Sequence, residues 1–97
     1  MNEIEMLTKK FILVGTDTAK ISTSDKPIIG TQALATCYAV LIYSEERKVA
    51  IVAHISSKDP ELVINNIFSI LLKEKLSNTP LKYKIIDGYF PENIELK

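Results

Sequence analysis

Hydrophobic and polar positions change period several times along the chain, and the changes divide it into elements. The apolar run "KFILV" over 10–14 is rich in β-forming residues and stops at Gly15, which predicts a short strand. The stretch "TDTAKISTSDKP" alternates weakly around Ile21 and holds the turn formers Asp17, Ser24, Asp25 and Pro27. It predicts an edge strand near 19–23 and then a loop. "IIGTQALAT" over 28–36 is apolar but broken by Gly30, and its small residues predict a tight passage of backbone. "CYAVLIYS" over 37–44 and "KVAIVAHIS" over 48–56 are dense in Val, Ile and Tyr, the pattern of strands covered on both faces. The polar "SEERK" joins them into a hairpin. It lacks Gly and Asn, which favours a four-residue loop built on a type I turn over a tight two-residue one.

The period then switches to that of a helix in "DPELVINNIFSILLKEKLS" over 59–77. Asp59 suits the N-cap, Pro60 the first helical position, and Glu61 the positive end of the helix dipole. Val63, Ile64, Ile67, Phe68, Leu71 and Leu72 form one wide face for packing on a sheet, and Lys73 and Lys75 sit near the C-terminal end. "SNTP" breaks the helix, and "LKYKIIDGYF" over 81–90 predicts a last strand with Asp87-Gly88 as a turn or bulge. Residues 1–9 read as a short helix or arm, 10–90 as the core and 91–97 as a tail. The order β-β-β-β-α-β predicts a single α+β domain over 1–97: a mixed or antiparallel sheet with one main helix packed on one face.

Composition narrows the function classes. The chain has 97 residues, enough for one hydrophobic core. Twelve basic residues balance twelve acidic ones, so charge supplies no footprint for nucleic acid or an anionic membrane. The apolar runs fall short of a membrane span and the N-terminus lacks a signal-peptide pattern, so membrane insertion is not expected. A single cysteine cannot make an internal disulfide, which favours a reducing compartment and a cytoplasmic location. With one Cys and one His, a Cys/His zinc site is not expected.

Those two residues are the candidate chemistry. A turn centred between Glu45 and Glu46 pairs Tyr43 with Lys48, Leu41 with Ala50, Ala39 with Val52 and Cys37 with His54. Residues directly opposed in an antiparallel pair have Cβ atoms about 4.5–5.5 Å apart, close enough for a thiol to meet an imidazole. A one-residue slip would put them on opposite faces. An imidazole beside a thiol can take its proton, stabilise the thiolate for attack on a carbonyl carbon, and return a proton to the leaving group. A third polar group usually fixes the ring, and Thr31, Gln32 and Thr36 are candidates. Backbone N–H groups in the bend at 35–37 could stabilise an oxyanion. Spacing alone leaves the plainer reading open, in which Cys37 is a small core residue, His54 a packed histidine and Thr31 a turn hydroxyl.

The stretch "GTQALATCYAVLIYSEERKVAIVAHI" resembles the core of the chemotaxis receptor glutamine deamidases, the CheD family. That family carries a Thr, then Leu-Gly-Ser-Cys opening a Val-rich strand, then a short turn and a strand ending in Ala-His. Thr31, Leu34-Ala35-Thr36-Cys37 and Ala53-His54 stand at the corresponding positions. The likeness extends over roughly 10–90. It departs at Ala35, where the motif has Gly, and after His54, where the chain reads Ile55-Ser56-Ser57 and the family usually has Leu-Pro.

The resemblance implies that Cys37 is the nucleophile, His54 the general base and acid, and Thr31 the residue that orients His54. Ala35 and Thr36 would shape the oxyanion turn. It implies hydrolysis of a glutamine side chain on a protein substrate to glutamate through a thioester, with no metal and no organic cofactor. The usual member runs on through more strands and another helix, so the expected partner besides the substrate is a second copy covering a sheet edge, a homo-oligomer. Two other functions fit the same residues: a non-catalytic CheD-like interaction module in signalling, and a cysteine hydrolase of other amides or esters.

Overall fold

The computed structural model describes residues 9–32 and 37–87. Among the described residues, six strands and one helix follow in the order β1 (Phe11–Val14), β2 (Thr18–Ile21), β3 (Ile28–Thr31), β4 (Tyr38–Ser44), β5 (Val49–Ile55), α1 (Pro60–Lys73) and β6 (Lys82–Asp87). The fold is α+β. An antiparallel four-stranded sheet runs β2-β5-β4-β6, and β1 and β3 form a separate parallel pair. The predicted arm over 1–9, all but its last residue, the Asp87-Gly88 turn and the tail over 91–97 involve residues outside the described ones.

β5 is the centre of the molecule, and every residue from Ile51 to Ile55 is buried. Its side chains alternate between two covered faces, as the run of β-branched residues predicts. On one face Ala53 and Ile55 pack against Val63 and Ile67 of α1, with Ala19, Val40, Ile42 and Leu71 around them. On the other face β1 and β3 lie against β5. β2 sits at the edge of the sheet, as predicted for a weak strand near 19–23.

β3 is a strand that the sequence reading passed over. Gly30, taken there as a break, lies inside it opposite Leu13. Gly30 lies against the Phe11 ring, where a Cβ would make ordinary contact at 3.4 Å, and it does not interrupt the strand.

The hairpin loop has the predicted four residues, Glu45 to Lys48, but its centre lies one residue later than expected. Ser44 organises it: its carbonyl accepts the Lys48 N–H at 2.8 Å and its hydroxyl accepts the Arg47 N–H at 3.0 Å. Lys48 takes a left-handed φ of 56°, a role usually given to Gly or Asn. The register therefore shifts by two residues. Tyr43 pairs with Ala50, Leu41 with Val52, and Ala39, in place of Cys37, with His54. An even shift keeps every side chain on its predicted face.

The helix begins as predicted. Asp59 caps it by accepting the Leu62 N–H at 3.2 Å, with Pro60 in the first turn. It ends at Lys73, before the predicted limit of 77. There Lys75 adopts φ 58°, Lys75 N–H bonds Leu72 O, and Leu76 N–H bonds Leu71 O at 2.8 Å. This is a Schellman closure, with buried Leu76 as its apolar anchor. The expected apolar face is also divided. Val63 and Ile67 are buried, whereas Ile64, Phe68 and Leu72 are exposed. α1 packs over β2 and β5, so Ile64 and Phe68 line an open apolar groove of about 430 Å³ with Tyr38, Val40, Ile42 and Ile85.

Candidate functional site

The site lies on the face of β5 turned away from the helix. His54 is only 2% exposed, although it is next to the last residue of its strand. The ends of β1 and β3 cover it. Thr31, the last residue of β3, places Oγ1 2.8 Å from His54 Nδ1 and 2.7 Å from the carbonyl oxygen of Val14, the last residue of β1.

Counting protons fixes the roles in this chain. A threonine hydroxyl has one proton. Thr31 gives it to the Val14 carbonyl, which can only accept, so toward His54 the hydroxyl must itself accept. Nδ1 therefore carries the ring proton of the neutral imidazole, and Nε2 is left with a bare lone pair. Nε2 is buried and has no hydrogen-bond partner among the described residues. The other buried polar side chains, Ser22 and Ser44, are both engaged. Ser22 accepts the Ala50 N–H at 2.9 Å, and Ser44 caps the hairpin loop. An unpartnered buried nitrogen costs about 1–3 kcal/mol and calls for an explanation.

Cys37 precedes β4 by one residue, is half-buried, and is a free thiol. Ala39 stands directly opposite His54 in the ladder. Continuing the strand alternation back from Ala39 puts Cys37 on the same face of the sheet, as the diagonal neighbour of His54. The direct opposition expected from spacing is thus corrected to a diagonal one. No hydrogen bond joins Cys37 to Nε2. Gln32, another candidate for orienting the ring, is exposed, while Thr31 does bond the ring. Ala35 and Thr36, expected at the oxyanion turn, lie outside the described residues.

Sequence reading missed two polar residues beside His54. Asp17 adopts a left-handed φ of 59°, and its N–H bonds the His54 carbonyl at 2.7 Å. Its Oδ1 accepts the Ser56 N–H at 3.0 Å and the Ser56 hydroxyl at 2.8 Å. The Ser56 N–H holds the Asp17 carboxyl below the usual carboxylate range, with help from the Ser56 hydroxyl and, more weakly, Lys58 and His54; partial burial opposes them. The available signal was Asp within Gly-Thr-Asp-Thr, since Asp tolerates the left-handed region and bonds nearby backbone.

The arrangement can accept a proton at Nε2 and hold the resulting imidazolium through Thr31. Among the described residues, no group of three or more His, Cys, Asp or Glu side chains could hold a metal ion, and no helix is long and apolar enough to cross a membrane. No protein-family model, curated protein or solved structure matches the chain.

Proposed function

We propose that the chain is a cysteine-dependent deamidase that hydrolyses glutamine side chains of a protein substrate to glutamate. Cys37 is its nucleophile, His54 its general base and acid, and Thr31 the residue that orients the ring. The observation that carries this reading is the buried His54 Nε2, whose lone pair is freed by the Thr31 bond to Nδ1 and aligned with no other described group.

In this reading the Cys37 thiol gives its proton to Nε2 as sulfur attacks the side-chain amide carbon of glutamine. The C–N bond then breaks, and His54 returns the proton to the departing nitrogen, which leaves as ammonia. The remaining thioester is attacked by water, whose proton passes to Nε2. Breaking the C–S bond releases glutamate and restores the thiol. The net change is addition of one water and loss of one ammonia. The deamidase resemblance of Thr31, Cys37 and His54 supplies the choice of glutamine over other amides.

The test is incubation with a glutamine-bearing cytoplasmic fragment of a chemoreceptor. Ammonia release should accompany a gain of about one dalton per modified site, and Cys37→Ser should abolish both. Full activity in Cys37→Ser would overturn the mechanism.

A further inference from the structure

We propose that Asp17 is a positioning residue that holds the His54 imidazole in its working tautomer and tilt. The inference rests on reading His54 as the site's base, but it concerns the ring itself and can be measured on the ring.

The argument starts from where β5 ends. The β2–β5 ladder closes with Thr18 opposite His54, so on that side strand pairing stops at His54, while β4 on the other side pairs one residue further, to Ile55. Asp17 continues the grip beyond the ladder. Its backbone N–H bonds the His54 carbonyl at 2.7 Å, and its carboxylate bonds the Ser56 N–H at 3.0 Å. One residue thus bonds the backbone on both sides of Ile55, holding in place the His54 carbonyl and the peptide group that follows it. The Ser56 hydroxyl bridges both carboxylate oxygens, at 2.8 and 2.9 Å, and accepts the Lys58 N–H at 3.1 Å.

The same short stretch of chain also acts on the ring through Thr31. Val14, three residues before Asp17, supplies the carbonyl that takes the Thr31 proton and so makes Thr31 an acceptor for Nδ1–H. The turn between them is braced by the Thr18 hydroxyl, which donates to Gly15 O at 2.8 Å. Residues 14–18 therefore set both the backbone that carries the ring and the partner of its Nδ1.

Asp17 sits at φ 59°, a conformation that Asp tolerates better than most residues. Its carboxylate bonds a backbone N–H and a hydroxyl across the turn. The charged groups facing it are Lys58 and, when protonated, His54.

The test uses ¹⁵N-histidine labelling, which is unambiguous because the chain has one His. At pH 8 the wild-type ring should give the signature of a neutral imidazole protonated at Nδ1 and bare at Nε2. Asp17→Gly keeps the left-handed backbone and deletes the carboxylate. It should move the ring toward the Nε2-protonated tautomer and slow alkylation of Cys37 by iodoacetamide about tenfold or more. Asp17→Asn, which keeps the acceptor oxygen, should restore most of the ring signature, and Ser56→Ala should fall between.

An unchanged ring signature in folded Asp17→Gly would overturn the proposal. If that variant does not fold, an unchanged signature in Ser56→Ala would do so. Alkylation indifferent to His54, with a ring signature still sensitive to Asp17, would overturn the nucleophile reading and leave the positioning role standing.

Discussion

The two faces of β5 are built on different principles. Toward α1, Ala53 and Ile55 meet Val63 and Ile67 in a contact made only of hydrocarbon. Toward β1 and β3, His54 is just as buried but is held by specific bonds to Thr31 and, through its backbone, to Asp17. The apolar face gains stability from area and shape, and any well-fitting hydrophobic residue could contribute. The polar face leaves Nε2 without a partner while satisfying the atoms around it. The comparison separates residues kept for folding from residues kept at a cost to folding, and the second kind marks the site.

Replacing His54 should separate activity from stability most widely. His54→Leu removes the buried unpartnered nitrogen, so stability in urea should be kept or raised by about 1 kcal/mol. Ammonia release should fall by about 10²- to 10⁴-fold, the usual contribution of a general base. Strong destabilisation with retained activity would erase the distinction between the faces.

On the helix side the pattern reverses. Ile67→Ala should cost about 2–5 kcal/mol by transfer and cavity terms, measured by denaturant unfolding. The alkylation rate of Cys37 in the folded protein should stay at its wild-type value.

Thr31→Val affects both properties, because the hydroxyl serves structure and ring alike. Loss of its bonds to Val14 and His54 should cost about 1–3 kcal/mol. The ring would lose its fixed tautomer, and ammonia release should drop at least about tenfold.

The smallest effect appears as a pH dependence. The Asp17 carboxyl is held below its ordinary range in the fold, chiefly by the Ser56 N–H. Its contribution is present above the unfolded value of about 3.9 and is lost as pH falls through the lowered folded value. The stability difference between wild type and Asp17→Asn should therefore be constant near neutrality and shrink below about pH 4 in pH-dependent urea titrations.

What the sequence made legible follows the same division. The hydrophobic pattern located β4, β5 and the start of α1, because burial on one or both faces imposes a period that composition cannot hide. It also put Cys37 and His54 on one face, since the register error was an even number of residues. The error arose because Lys48 takes the left-handed conformation, and the helix was read too long because Lys75 does so at its end. At both places the usual Gly or Asn signal is absent and tertiary contacts, such as buried Leu76, decide the turn. β3 was missed because a lone glycine reads as a break when the strand it pairs with, β1, is far away in sequence. The Thr31–His54 bond could be suspected from residue types, but the grip of Asp17 on Ser56 spans 39 positions and needs the fold to bring its ends together.

The central claim is that Thr31 leaves His54 Nε2 as a free base for the Cys37 thiol, and alkylation of Cys37 across pH tests it most directly. The account predicts that Cys37 reacts with iodoacetamide much faster than free cysteine near pH 6, where an ordinary thiol is almost wholly protonated, and that His54→Leu removes the advantage. Reaction at or below the rate of free cysteine at every pH, unaltered by His54→Leu, would contradict it.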